Sequence, residues 1–369
     1  MSGVYIHIPF CKSRCGYCDF FSTTLLSLRN DYVSALIEEM RARRSYLTDE
    51  VSTIYFGGGT PSLLSVAQIL RILSELRQLF SVAADAEITL EANPSDLNDE
   101  YLTGLRQAGI NRLSIGVQSF DNRMLALMGR RHTADEARKA VKAASEAGFG
   151  NISIDLIYGL PGQTVEAWSR ELEAALGMKV QHISTYCLTY ESGTPFAKMK
   201  EAGKLQAADD DTVNEMYALL VKTLTDNGYE HYEVSNFALP EYYSRHNSAY
   251  WNSTPYLGIG AGAHSYNRVS RQWNQCQLEQ YISAAMSHTL QPETETLTEK
   301  DKYNETVMLS LRTKAGISLS SLDGGKRSYC LKQADSFLQS GKLTITDNRL
   351  VATADGINIL NIITEHLMQ

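Results

Sequence analysis

The chain has 369 residues, 43% of them hydrophobic, and a formal net charge of −8. This length exceeds one ordinary domain and suits a barrel with a small appendage. The acidic balance, without any dense Lys/Arg cluster, argues against nucleic acid as a partner, and no run of eighteen apolar residues predicts a membrane span. Residues 1–20 lack the pattern of a secretory signal or an arginine-rich leader, so the expected compartment is the cytoplasm.

In chain order, an apolar run from Val4 that can be a buried strand ends at Pro9, and the next residues place Cys11, Cys15 and Cys18 at C-x3-C-x2-C spacing. Three soft thiolates on one short loop suit three irons of a [4Fe–4S] cube and leave the fourth iron for a small molecule. A zinc site, the alternative, wants four ligands in paired spacings, and Cys187, Cys276 and Cys330 are isolated. Cysteines without disulfide-like pairing also fit a reducing compartment.

Helical periodicity follows over Arg29–Tyr46, then a strand over Ser52–Phe56 that stops at Gly57-Gly58-Gly59-Thr60-Pro61. A helix is predicted near Ser65–Phe80. Strand-like runs recur at Glu87–Glu91, Arg112–Val117, Asn151–Ile157 and His182–Leu188, with helical patterns near Asn98–Ala108, Ala134–Ala147 and Thr164–Leu176. Gly109, Gly148 and Gly177 read as C-terminal punctuation. Six β-then-α units mean parallel strands covered by helices, and Cys11, Gly58, Glu91, Gln118 and Asp155 all fall at or just past strand C-termini, the rim where such barrels place their chemistry.

From about Leu205 the rhythm changes. A helix near Asp209–Asn227 leads into the aromatic, turn-rich Tyr229–Tyr266. Thr298–Arg312, Leu319–Leu322 and Arg327–Ser340 then read as helices, before a hairpin at Leu343-Thr344-Ile345 and Leu350-Val351. That order suits a small winged-helix-like α+β module. Its basic residues Arg312, Lys314, Lys326, Arg327 and Lys332 are interleaved with acids, so packing or partner docking is expected of it rather than DNA binding. The expected divisions are residues 1–205 for the barrel, 206–290 for an extension, and 291–369 for the C-terminal module.

The cysteine loop resembles that of the radical S-adenosylmethionine (SAM) superfamily, in which SAM chelates the open iron. The flanking Tyr5-Ile6-His7-Ile8-Pro9-Phe10 narrows this to the oxygen-independent coproporphyrinogen III oxidase-like family, which includes true oxidases and haem chaperones. The resemblance implies an α/β fold, a partial (β/α)6 TIM-like radical SAM barrel with the small C-terminal module. It also implies Cys11, Cys15 and Cys18 as cluster ligands, and Tyr5, Gly58 and Glu91 as contacts for the cluster-bound SAM. Gly59, Thr60, Gln118, Arg130 and Asp155 would correspond to a second SAM site, and whether two SAM molecules bind is open. Taken singly, each of these polar residues is better read as a satisfied core group; their joint placement on one rim changes the weighing.

Arg245-His246-Asn247-Ser248-Ala249-Tyr250-Trp251 supplies an imidazole, an amide and two large aromatics, a set suited to ligating iron and stacking on a flat ring. Unaided, a helix-capping or core histidine is the better reading. The family resemblance reverses this, because His-Asn-x-x-Tyr-Trp is similar to the haem-associated motif of its chaperones: His246, Asn247, Tyr250 and Trp251 become haem candidates, with His264 in a glycine-rich turn a further one. The true oxidases carry a fourth cysteine where this chain has Phe20, and an N-terminal extension where it has ten residues before Cys11. These departures favour the haem chaperone branch over the coproporphyrinogen III dehydrogenase, and leave enzymatic activity open. The partners this implies are haem and a recipient haemoprotein reached at a membrane surface without crossing it; a homodimer is compatible.

Overall fold

In a computed structural model describing residues 1–369, six strands run parallel in chain order: β1 (Ser2–Ile8), β2 (Val51–Gly58), β3 (Val82–Ala92), β4 (Arg112–Gln118), β5 (Ile152–Tyr158) and β6 (His182–Cys187). Successive side chains of a strand point to opposite faces. Here the outward set, including Val4, Ile6, Ile54, Phe56, Ile88, Leu90, Leu113, Ile115, Ile152, Ile154 and Ile183, belongs to one continuous apolar core. The helices are α1 (Arg29–Ala42), α2 (Val66–Leu79), α3 (Asp99–Ala108), α4 (Asn122–Met128), α5 (Ala134–Glu146), α6 (Val165–Gly177), α7 (Pro195–Glu201) and α8 (Asp210–Asp226); all but α4 and α7 cover that core, and those two pack on a smaller cluster with Leu160 and Leu188. Ser65 with Gln68, and Thr133 with Glu136, close capping boxes on α2 and α5. Gly109 and Gly148 take positive φ (99° and 87°) as expected, whereas Gly177 ends α6 and Lys179 adopts the left-handed turn (φ 54°) instead.

The inward set is polar: Tyr5, His7, Thr53, Tyr55, Glu87, Thr89, Glu91, Arg112, Ser114, Ser153, Asp155, His182 and Ser184. A barrel of this kind usually fills its interior with bulky branched residues; here those residues sit under the helices, and the interior is left as a polar lumen.

The barrel stays open. Its sheet continues past β6 through β8 (Asn236–Ala238) and β7 (Glu230–Glu233), and past β1 through β9 (Tyr256–Ile259), β10 (His264–Tyr266), β11 (Ser270–Trp273) and β12 (Glu293–Thr296). The stretch read as turn-rich thus supplies four short strands, β7 to β10, and α9 (Arg245–Trp251), whose lengths of three to seven residues carry no periodic signal. After α10 (Leu278–Met286), β12 keeps the large sheet going beyond residue 290.

A second core gathers Tyr303, Val307, Leu311, Ile317, Cys330, Leu343, Leu350 and Ile363 from α11 (Glu299–Ser310) and the residue after it, β13 (Ile317–Ser318), α12 (Gly324–Gln339), β14 (Leu343–Thr346), β15 (Arg349–Ala352) and, beyond the short α13 (Ala354–Ile357), α14 (Leu360–Leu367). Leu319–Leu322 is a turn, not the expected helix, because β13 pairs with β15 just before it. The hairpin turns on Asp347 and Asn348, both at positive φ.

Candidate functional site at the barrel rim

The cysteine loop leaves β1 at Pro9 and is pinned before any cofactor is considered. Cys11 N–H donates to the Thr23 carbonyl (2.8 Å) and Thr23 N–H to that of Pro9 (2.7 Å). Gly16 N–H reaches Met128 at the end of α4 (3.0 Å), and Phe196 N–H in α7 reaches Gly16 (2.9 Å). Asp96, just past β3, accepts from Lys12 (3.0 Å), from both arms of Arg131 (3.2 and 2.9 Å) and from Ser62 (2.9 Å), tying four rim loops together. Burial alone would raise this carboxyl's pKa, but the Arg131, Lys12 and Ser62 contacts bring it below its ordinary value. The sequence carries no signal for Asp96 as a hub, since its partner Lys12 is 84 residues away.

Burial pushes the Cys11 and Cys18 thiols up, and the neighbouring cysteines push the same way. Thr60 Oγ1 lies 3.4 Å from Cys11 Sγ, and the Arg130 guanidinium is 3.5 Å from Cys15 Sγ. No three His, Cys, Asp or Glu side chains converge on a point as one zinc ion requires. A cubane instead takes one thiolate at each of three separate corners, and three soft donors on one loop with a cation beside them fit that group. Phe20, where a fourth cysteine would stand, is 67% exposed.

The other predicted site residues lie at the strand ends and turns near the loop, except Asp155, which stands in the middle of β5 and faces the lumen rather than the expected strand end. Gly58 sits at φ 113°, where a Cβ would lie 2.5 Å from the His7 ring; at Gly59 it would lie 2.8 Å from the Pro9 backbone. These positions must be glycine for the β2 turn to approach the end of β1. Glu91 accepts from Tyr55 Oη (2.8 Å) and from Gly58 N–H (3.1 Å). Burial lifts its pKa to about 7, the Tyr55 hydrogen bond opposing and the Asp155 charge reinforcing. Asp155 accepts from Ser114 (3.1 Å), and burial raises it as well. Arg130 donates to the Gly116 carbonyl (2.7 Å) while its buried Nε has no partner, and Gln118 ends β4 at φ 66°. Tyr5 hydrogen-bonds His7 Nδ1 (3.1 Å) and stacks at 6.2 Å on Tyr55. Tyr55, whose bond to Glu91 sets that carboxylate, was not singled out from the sequence, where an aromatic in a strand reads as core.

The His246 group lies elsewhere. Backbone N–H groups of Arg245 and His246 are capped by the Glu87 carboxylate (3.0 Å each), and His246 Nδ1 meets Thr53 Oγ1 (2.8 Å). Thr53 and Glu87 precede the rim by several residues on their strands, so α9 closes the N-terminal end of the barrel, opposite the cysteines. His246 is 2% exposed, its Nε2 meets Tyr250 Oη (3.1 Å), and its ring stacks at 5.0 Å on Tyr55. Burial, with the charge of Arg112, lowers its pKa to about 3. With both nitrogens engaged, the ring as placed has no free lone pair for a haem iron. Asn247 is half-buried at the start of α9, and the buried indole N–H of Trp251 has no partner. His264 is exposed on β10, stacked at 5.9 Å on Trp273.

Residues 5–175 match the radical SAM superfamily, and residues 297–359 match the HemN C-terminal domain. The heme chaperone HemW of Lactococcus lactis is 40% identical over 317 residues, 86% of this chain and 83% of that protein; the Mycobacterium tuberculosis HemW is 37% identical over 96% and 91%. Among solved structures, Escherichia coli coproporphyrinogen III oxidase (HemN), a radical SAM enzyme, superposes with a TM-score of 0.86 at 26% identity, covering all of this chain and 90% of that one. Taken with the three-thiol loop at the mouth of an open parallel barrel, these similarities show that the chain belongs to the HemW family of radical SAM proteins.

Proposed function

We propose that this protein is a haem chaperone: it binds haem on a radical SAM scaffold and hands it to a recipient haemoprotein. The observation that carries the reading is the three-cysteine loop with exposed Phe20 in place of a fourth cysteine, in a chain 40% identical to a heme chaperone. Cys11, Cys15 and Cys18 would hold the [4Fe–4S] cluster, which supplies one-electron chemistry to SAM when both are bound. Tyr5, Gly58 and Glu91 would line the site of the cluster-bound SAM, and Gly59, Thr60, Gln118, Arg130 and Asp155 a second one.

Haem would be taken at the opposite end, by His246, Asn247, Tyr250 and Trp251, with His264 on the neighbouring strand. Because Tyr250 occupies His246 Nε2, ligation by this histidine goes with release of that hydroxyl. No helix is long and apolar enough to cross a membrane, so delivery to a membrane-bound recipient would be made by surface docking in the cytoplasm. The three domains are proposed as 1–205, 206–290 and 291–369, although β12 joins the large sheet. The test is haem titration of wild type and His246→Ala; an unchanged spectrum and affinity would reject the assigned role.

The superposition on the oxidase favours a second reading, decarboxylation of coproporphyrinogen III propionates. Anaerobic incubation with reductant, SAM and coproporphyrinogen III separates the two, since a chaperone forms no protoporphyrinogen IX above a cluster-free control.

A further inference from the structure

The three cysteines of the loop are not held alike. Cys11 Sγ meets the Thr60 hydroxyl at 3.4 Å, and Cys18 has the Phe20 backbone beside it. Cys15 Sγ instead faces a cation, Nη1 of Arg130, at 3.5 Å.

The guanidinium is held in that position by the fold. The C-terminal end of α4 packs on the loop: Gly16 N–H donates to the Met128 carbonyl (3.0 Å), and a Cβ on Gly129 would come within 4.0 Å of Cys15 Cα. Gly129, at φ 75°, turns the chain, and Arg130 N–H returns to the Leu125 carbonyl (2.9 Å). Nη2 then donates to the Gly116 carbonyl on β4 (2.7 Å), which aims the other arm of the fork at Cys15. A Cβ on Gly116 would crowd that nitrogen at 3.1 Å. Asp155 feels the charge of Arg130 but gives its oxygens to Ser114 and Ser184, so the arm that reaches the sulfur is not diverted to a carboxylate.

A [4Fe–4S] cube on thiolates gains one unit of negative charge when it takes up an electron. A fixed cation that donates an N–H to one of its sulfurs stabilises the reduced cube more than the oxidised one, and so raises the reduction potential. A guanidinium keeps its charge at any working pH, so the effect is permanent rather than titratable. The hydroxyl at Cys11 is neutral and exerts the weaker pull of the two.

We propose that Arg130 sets the reduction potential of the cluster through its hydrogen bond to Cys15, making the cluster easier to reduce whether or not SAM is bound. It is a positioning residue for charge, acting on iron through the Cys15 sulfur. The proposal rests on Cys11, Cys15 and Cys18 being the cluster ligands, and is independent of the haem reading.

The experiment is a redox titration of anaerobically reconstituted protein without SAM, read by the EPR signal of the reduced cluster. Dithionite supplies one electron per cluster, and iron and acid-labile sulfide are counted in every sample. Arg130→Met should titrate at a lower potential than wild type. The expected change is at least tenfold in the ratio of reduced to oxidised cluster, which is about 59 mV for one electron. Arg130→Lys keeps the charge but loses the fork and should fall between the two; its midpoint decides the matter if the methionine variant holds no cluster. Thr60→Val, which removes a neutral donor from Cys11, should shift the midpoint less than Arg130→Met. A wild-type midpoint in Arg130→Met, a shift no larger than that of Thr60→Val, or loss of the cluster from both Arg130 variants would each overturn the proposal. SAM affinity, measured in parallel by equilibrium dialysis, separates the roles, since weaker SAM binding at an unmoved midpoint would place Arg130 on SAM alone. Wild-type protein without acid-labile sulfide would instead overturn the cluster reading on which the proposal stands.

Discussion

Replacing Glu91 by glutamine should make the protein more stable, and by an amount that depends on pH. The carboxyl is raised from 4.5 to about 7 by burial, with Asp155 adding to the shift. Between those values the folded chain holds a proton that the unfolded chain has released, so this group's contribution to stability falls as pH rises through the window. Below about pH 4.5 it costs nothing; above about pH 7 the full penalty applies, about two and a half units at 1.36 kcal/mol each, or about 3 kcal/mol. Glutamine has the shape of the protonated acid and never ionises. Glu91→Gln should therefore gain about 3 kcal/mol at pH 8 and only about 1 kcal/mol at pH 5. Urea unfolding of cluster-free wild type and variant at pH 5, 6, 7 and 8, followed by fluorescence of Trp168, Trp251 and Trp273, measures both curves. A stability difference that stays flat across that range would show that Glu91 ionises as freely in the folded chain as in the unfolded one, and the description of the lumen as enclosed would fail.

Asp96→Ala removes the shared acceptor of Lys12, Arg131 and Ser62 and should destabilise by about 3 kcal/mol, with lower iron occupancy after reconstitution; normal occupancy would mean the cysteine loop is held without it. Gly59→Ala drives a Cβ to 2.8 Å from the Pro9 backbone and should lower iron and SAM binding together, as read by iron assay and equilibrium dialysis. Cys15→Ala should lose the cluster's acid-labile sulfide. Tyr250→Phe frees His246 Nε2, so haem titration should show tighter or faster binding than in wild type, whereas weaker binding would mean that the hydroxyl itself contacts haem.

The β/α rhythm was legible because β1, β3, β4 and β5 are apolar on one face over at least three alternations and α2, α3, α5, α6 and α8 carry a capping residue, Ser65, Asn98, Thr133, Thr164 or Asp209, just before the first turn. The cysteine spacing and the Gly57–Pro61 turn were legible because they are local. What was not legible is whatever depends on partners far apart in the chain. Strands of three or four residues, such as β8 and β10, exist only because β6 and β9 offer them an edge. Leu319–Leu322 looked helical until β13 was required to pair with β15. Tyr55, Thr53 and Arg112 read as ordinary strand residues because nothing in a sequence says which face of a strand looks into a hollow barrel.

That face also carries a continuous chain of contacts between the two ends of the barrel. From α9 the contacts run Thr53 to His246, His246 stacked on Tyr55, Tyr55 to Glu91, and Glu91 to the backbone N–H of Gly58, in the turn that packs against the first cysteine's strand. Each link is a hydrogen bond or a ring contact between buried groups, and only Glu91 among them changes charge near neutral pH. Pulling His246 toward an iron would break its contact with Thr53 or Tyr250 and withdraw the ring against which Tyr55 is packed, leaving the Tyr55 hydroxyl free to move off Glu91. Losing that hydrogen bond raises the carboxyl further, and a protonated Glu91 holds the Gly58 N–H less firmly. Were haem ligated by His246 as proposed, occupancy of the α9 end would be coupled through these contacts to the geometry of the glycine turn at the other end, and by linkage the coupling would run equally in the other direction.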